Sequence, residues 1–434
     1  MPVRIHDAPL APVAAELRAT DRDVVRYVDD CCDRIDEAQP ELHALVPEPS
    51  RRERLREAAA ALRDETPADA RPRLYGVPVG VKDIIHVDRL PTRAGSALPP
   101  ELFAGPEATC VTRLREAGAL VAGKTVTTEF AGGGPGLTRN PHALDHTPGG
   151  SSSGSAAGVA AGLFPLAIGT QTGGSVVRPA AYCGVVGMKP SLGRIPRDGI
   201  LERSSSLDHV GMFTQDVAGM RLAAAVLCDD WAAGEEPVGE FPVVAVPGGT
   251  FLQRAGPAAR TAFAAQRRRL AAAGCEVRRV AVPALEEVTG LARDHRRLHY
   301  GELALVHEPW FDDYRSFYRT PNAEAIAAGR DVTVGQLAAS RARITQLRET
   351  FDDLLATHDA DLWVTPAAPG PAPATIRTTG DPVMNRPWTY AGVPVVTVPA
   401  GQTPEGLPLG LQLAGPYMRD ERLLKWAEVV ADAL

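Results

Sequence analysis

The stretch 169-GTQTGGSVVRPAAYCGVVGMKPS-191 decides the reading of this chain, together with 148-PGGSSSGSAAGVAAG-162 just before it. Residues 131–175 are the richest in Gly and Ser, a composition that suits a flexible linker. Hydrophobic order resumes at once on either side, and the region encloses the helix-like run SAAGVAAGLF. An ordered loop system is therefore expected. Two glycines, Gly173 and Gly174, stand immediately before Ser175. Glycine lets backbone N–H groups converge on one point without obstruction by a Cβ. Such donors stabilise the oxyanion of an acyl-transfer intermediate. Ser175 is thus read as a nucleophile beside a backbone oxyanion hole.

A serine needs a base, because its hydroxyl must lose a proton as it attacks. The ten histidines are scattered, and only His142 and His146 lie in a distinctive setting. A lysine can serve if burial keeps it neutral. Lys82 sits in the apolar, strand-like run Gly80-Val81-Lys82-Asp83-Ile84-Ile85. The structural alternative is a lysine paired with Asp83 at a strand edge.

Working outward, residues 11–65 read as helical, and 51-RRERLREAAAALRDE-65 as a charged amphipathic outer helix. The texture changes to strand and turn at Leu74, with a helix at 106–117 stopped by Gly118 and a strand in ALVAGKT. A second strand–helix–strand unit follows in FPVVAVPGG, PAARTAFAAQRRRLAAAG and CEVRRVAVP. A helix is expected over 333–357, then strands from 362 onward and a closing helix, DERLLKWAEVVADAL. Strands alternating with helices indicate an α/β architecture. No repeat of 20 to 50 residues is present.

Two nucleotide-binding patterns are rejected. Gly118, Gly123, Lys124 and Thr125 satisfy the spacing GxxxxGKT. A P-loop, however, follows a strand and precedes a helix. Here a helix precedes Gly118, and Ala119-Leu120-Val121-Ala122 suits a buried strand. The GGGPG after Phe130 carries no dinucleotide fingerprint.

The two opening stretches resemble the amidase signature family, closest in motif to a malonamidase-like subgroup. Ser151 and Ser175 are 24 positions apart, as that family's two catalytic serines are. GVPVGVKDIIHVDRLPTRAGS resembles its lysine strand, and GALVAGKTVTTEFA the strand and turn beside its pocket. SSSLDHVG and PWTYAGVPVVTVPAGQTPEGLPLGLQLAGP fit as well. The likeness is tight over 70–225 and 360–434 and looser elsewhere. It implies one α/β domain with a single large mixed β-sheet covered by helices on both sides. Within that domain, 1–68 is expected to be an N-terminal helical layer and 69–225 the catalytic core. A variable substrate-pocket region would span 226–360, and 361–434 would return to the core.

The resemblance further implies a Ser–Ser–Lys triad. Ser175 would form the acyl-enzyme, Ser151 would relay the proton from a peptide geometry often cis in this family, and Lys82 would be the neutral base. The N–H groups of Thr172, Gly173, Gly174 and Ser175 would form the oxyanion hole. Ser153 departs from the family, where Gly is common; Ser152, Ser153 and Ser155 are expected to shape the loop and cap the following helix. Arg178 stands where the malonamidase-like subgroup binds a substrate carboxylate, and a guanidinium suits that role. Its alternative is a structural arginine holding an acid or loop carbonyls. Residues 129–139 and 290–320 are expected to line the pocket, with Ala131 as a further substrate-binding position. Phe130, His299, Tyr300, Trp310 and Phe311 lie there, most of them expected in the core or on the surface.

The expected activity is amide hydrolysis on a small molecule, with no cofactor or metal. The alternatives are the amidase component of a transamidating complex, an esterase, carbamate or urea hydrolase on the same triad, and a non-catalytic binding scaffold. Against the first of these, the amidase component of glutamyl-tRNA(Gln) amidotransferase usually has Asp where Gln171 stands, and Arg two residues after the serine rather than three. Hydrophobic residues at 44% and charged residues at 23% are ordinary for a globular protein and exclude a disordered chain. The formal charge of −7 argues against nucleic acid or an anionic membrane as partner. No run of 18 apolar residues and no secretory signal is visible, and the six cysteines show no metal-binding spacing. The expected location is cytoplasmic. Dimers are common in the family, which leaves a homodimer open; this sequence does not show one.

Overall fold

The computed structural model describes residues 3–232 and 239–434. Residues 1–2 and 233–238, which fall in the expected 1–68 and 226–360 segments, lie outside the described residues. Among the described residues ten strands form one mixed sheet. They are β1 (Pro78–Lys82), β2 (Leu120–Thr125), β3 (Leu166–Gln171), β4 (Val186–Lys189), β5 (His209–Thr214), β6 (Val243–Pro247), β7 (Glu276–Val280), β8 (Leu362–Pro366), β9 (Val395–Gln402) and β10 (Pro408–Ala414). Their order is β2-β1-β3-β5-β4-β9-β10-β8-β6-β7. The two flanks are parallel, β2-β1-β3 on one side and β8-β6-β7 on the other. The centre, from β3 through β8, is antiparallel. Most of these strands are buried throughout and read as near-continuous apolar runs, as sheets covered on both faces do.

Helices supply the cover. Val24–Leu42 starts at Asp23, whose side chain accepts the N–H of Arg26, and its buried stripe includes Val28, Cys31, Cys32 and Ile35. Arg51–Glu65 buries only Leu55 and Ala59, as an outer helix should. The helix Pro257–Ala273 ends where Gly274 takes a left-handed conformation, and Val334–Thr357 begins with a reciprocal capping box between Thr333 and Gln336. The helix Ser153–Ala160 is buried along its whole length. Only small residues permit this: a Cβ on Gly154 would stand 2.0 Å from the Ala44 carbonyl oxygen. The run that suggested a linker is therefore among the most tightly packed segments of the molecule.

The GKT pattern is resolved in the same way. Leu120–Thr125 is a buried strand, and Lys124 Nζ lies 3.0 Å from Asp83 Oδ1 with both side chains buried. Asp83 thus belongs to Lys124. The alternative that paired it with Lys82 is overturned, and Lys82 is left without that carboxylate.

Candidate active site

β1 and β3 are parallel neighbours, with Val81 opposite Ile168, so Lys82 and the Thr170–Gln171 end of β3 emerge at the same edge. The carboxyl ends of parallel strands are where α/β sheets place ligands. Lys82 is fully buried. Its Nζ lies 2.7 Å from Ser151 Oγ, 2.8 Å from Thr170 Oγ1 and 3.4 Å from the Thr170 carbonyl oxygen. Burial pushes its pKa well below the ordinary lysine range, opposed by the charge of Asp208 and assisted by that of Arg203. A neutral amine has two N–H groups and one lone pair. Thr170 offers two acceptors, so the lone pair is left facing the Ser151 hydroxyl.

Ser151 is buried and follows a cis Gly150–Ser151 peptide bond. The carbonyls around it are each held. Ser153 Oγ donates to Gly149 O at 2.9 Å, Arg178 Nη2 to Gly150 O at 2.6 Å, and Thr128 N to Ser151 O at 3.2 Å. Ser152 Oγ donates to Thr170 O, and Ser155 Oγ to Ile168 O. These serines shape the loop as expected. The expected helix cap is corrected: Ser152, at the cap position, makes no side-chain cap bond, because its hydroxyl is already committed to β3.

The loop after β3 is pinned by its carbonyls. His295 Nε2 lies 2.8 Å from Thr172 O, Thr389 Oγ1 donates to Gly173 O at 2.7 Å, and Arg178 N donates to Gly174 O at 3.0 Å. Thr172 Oγ1 donates to Asp208 Oδ1 at 2.5 Å. With three successive carbonyls held outward, the intervening N–H groups are turned the other way. Among the described residues, those of Gly173, Gly174 and Ser175 find no acceptor within the protein. Gln171 completes the frame. Its Oε1 accepts from Val176 N and Val177 N, and its Nε2 donates to Thr389 Oγ1, which frees the threonine proton for Gly173. A carboxylate at 171 would take that proton instead.

Ser175 is half-buried and lines a cavity of about 280 Å³. Thr172, Gly173, Gly174, Arg178 and Ala131 line it too. The structure therefore brings together every residue singled out for the site except Lys82 and Ser151, which are buried and paired with each other. Arg178 joins the two groups, since it lines the cavity and holds the carbonyl just before Ser151. Both readings of Arg178 have support: Nη2 is structural, while Nε and Nη1 are buried without a partner. Of the aromatic candidates, His299 and Tyr300 line the cavity, whereas Phe130 and Phe311 are core residues and Trp310 packs against them. His142 instead contacts Cys183 O and His146 contacts Asp145.

Several contributors carried no signal in the sequence. His295 lies in the 290–320 stretch expected to line the pocket, yet nothing marked it as a loop anchor. Burial and the nearby charge of Arg386 hold its imidazole near pKa 3, so it is neutral under working conditions. Arg296 lies in the same stretch, and Asp208 and Thr389 in the motifs SSSLDHVG and PWTYAG, each without an assigned role; Arg203 and Arg386 lie just outside those motifs, and only the fold brings them to residues 171–175. His295→Asn is expected to lower kcat by about tenfold with a smaller change in KM, since one of three anchors is lost while the cavity wall stays. Steady-state kinetics check this, and a change in KM alone would assign His295 to substrate contact. Among the described residues no group of three or more His, Cys, Asp or Glu is placed to hold a metal ion.

This geometry gathers the buried Lys82–Ser151 pair and the pinned loop 172–175 at one edge of a mixed α/β sheet. The family model described as Amidase matches residues 26–424, so the chain belongs to the amidase family. A curated relative from Synechococcus sp. (strain RCC307), the A component of glutamyl-tRNA(Gln) amidotransferase, is 30% identical over 98% of both chains. A solved structure described as an amidase is 30% identical with a TM-score of 0.87, covering 98% of this chain and 100% of the other. The peptide amidase of Stenotrophomonas maltophilia is 28% identical with a TM-score of 0.84, covering 98% and 96%. The fold is thus that of the amidase signature enzymes, and the chain is an amidase acting on C–N bonds. Among the described residues no helix is long and apolar enough to cross a membrane.

Proposed function

We propose that this chain hydrolyses a carboxamide of a small, carboxylate-bearing molecule through an acyl-enzyme on Ser175. The observation that carries this reading is the buried Lys82 against Ser151, its pKa pushed down by burial, tied through Arg178 to a cavity that Ser175 lines. Ser175 Oγ attacks the amide carbon, and its proton passes by way of Ser151 to the Lys82 lone pair. The oxyanion is met by the N–H groups of Thr172, Gly173, Gly174 and Ser175. The C–N bond breaks as the relay returns the proton to the leaving nitrogen. Water then adds to the ester, gives its proton to the same relay, and releases the acid and a free Ser175 hydroxyl. Ala131 contributes to the wall, and the unpartnered nitrogens of Arg178 receive the carboxylate. Esters, carbamates and ureas of the same shape are open to the same attack.

A second reading, the amidase component of a transamidating complex, is favoured by the name the curated relatives share. It supplies a protein partner and a use for the released nitrogen. The cavity favours the first reading. Among the described residues no Asp or Glu lines it, so the ammonium of an amino-acid amide finds no counter-charge from them.

Ammonia release from propionamide, succinamate and L-glutamine by the isolated chain separates the readings. Succinamate is expected to be cleaved best. Cleavage of L-glutamine that appears only with added partner proteins would transfer the conclusion to the second reading. Arg178→Ala is expected to cost about a hundredfold in kcat/KM on succinamate beyond its effect on propionamide. The loss common to both substrates measures the contact with Gly150; equal losses would make Arg178 purely structural.

A further inference from the structure

Among the described residues four arginines line the cavity, namely Arg178, Arg203, Arg296 and Arg386, and no carboxylate does. Two of them are occupied in part. Arg203 Nη1 donates to Phe130 O at 2.9 Å and Asn322 Oδ1 at 3.1 Å, and its Nε meets His299 Nε2. Arg178 keeps two free nitrogens. Arg296 and Arg386 differ from both. Among the described residues neither guanidinium makes a hydrogen bond or an ion pair, although Arg386 is half-buried. The acid whose charge Arg386 feels is Asp381, exposed, outside the lining, and accepting the N–H of Val383 at 2.9 Å. Arg386 also feels the like charge of Arg296, and Arg178 feels that of Arg386. Tyr300, His295 and His299 are polar neighbours at this end, the two imidazoles held neutral by burial and by the arginine charges.

Arg386 is half-buried and Arg296 exposed; a partly desolvated guanidinium beside a like charge and without a counter-ion destabilises an empty site, and a bound anion relieves both costs. Arginine also suits planar anions through paired N–H groups.

We infer that the cavity holds a second anion subsite, formed by Arg386 and Arg296, so that the preferred substrate is a carboxamide bearing two carboxylates. One carboxylate meets Arg178 and the other meets Arg386 and Arg296. The inference deepens the proposed hydrolysis and rests on it for the word substrate, though not for the site. A cavity of about 280 Å³ suits a compact, metabolite-sized dianion rather than a peptide.

The test uses the full chain. Initial rates are compared for succinamate and for the 1-amide of propane-1,2,3-tricarboxylic acid, which adds one carboxylate. Calorimetry measures binding of succinate and propane-1,2,3-tricarboxylate to the same preparations. The second carboxylate is expected to raise kcat/KM and affinity about tenfold at low salt, with a steeper fall as salt is added. Arg386→Gln and Arg296→Gln are expected to shrink that ratio towards one. A wild-type ratio near one, or a ratio untouched in both variants, overturns the subsite. Cleavage of neither amide with tricarboxylate still bound tightly through Arg386 would overturn the proposed hydrolysis and leave the subsite standing. Circular dichroism of each variant, with the tyrosine and tryptophan near-ultraviolet bands as reference, identifies any that has misfolded; Arg386→Lys then replaces Arg386→Gln and is expected to keep part of the ratio.

Discussion

Lys82→Ala is expected to lower the rate of acylation by about three to four orders of magnitude while the protein stays folded. The reasoning begins with burial. An ammonium in that position would have no carboxylate within ion-pair reach, since Asp83 is held by Lys124. The amine is therefore the stable form, and its lone pair is the one base in contact with Ser151. Removing it leaves Ser151 no route for a proton. Lys82→Arg should fail equally, because a guanidinium cannot give up its charge. The wild-type pH profile follows with a definite sign. Activity depends on the deprotonated amine, so it falls as pH drops through the lowered pKa of Lys82 and is level above it, far below the pH at which an ordinary lysine would titrate. Single-turnover kinetics against pH test this. A near-normal acylation rate in Lys82→Ala would remove Lys82 from the proton relay.

Ser175→Ala is expected to abolish covalent chemistry altogether. Intact mass after treatment with a fluorophosphonate should show one adduct on the wild type and none on Ser175→Ala. The single adduct follows from the surroundings: Ser151, Ser152, Ser153 and Ser155 are buried in hydrogen bonds to backbone or to Lys82, while Ser175 lines the cavity. An adduct persisting on Ser175→Ala would move the nucleophile elsewhere. No adduct on either protein would point to a site gated by a partner, in line with the second functional reading.

The strands and helices were legible where periodicity is local. The unit FPVVAVPGG to CEVRRVAVP and the Thr333 start of the helix to Thr357 came out as read. Lys82 was legible because a lysine in an apolar strand is anomalous on its own. Ser175 was legible because two glycines precede it. The anchors of its loop were not, since His295 and Thr389 stand more than a hundred residues away and have ordinary local sequence. The cationic cavity was hidden for the same reason. Arg296 belongs to a run of helix residues that reads as a solvated face, and Arg386 opens a short helix, Arg386–Ala391. Charge becomes a feature of a site only when the fold has gathered it from several segments.

The position of β9 has one more consequence. It lies at the middle of the sheet, between β4 and β10, although it is nearly the last strand in the sequence. During synthesis the N-terminal strands must therefore wait with β4 as a bare edge until residues 395–402 leave the ribosome. An open edge of buried, apolar strand is a template for pairing with another chain. Thr389, which holds Gly173, emerges only just before β9. The nascent chain is thus both most prone to aggregation and still without the anchor of its Gly173 loop until residues 389–402 are made, and a truncation before Val395 should yield inclusion bodies rather than a weak enzyme.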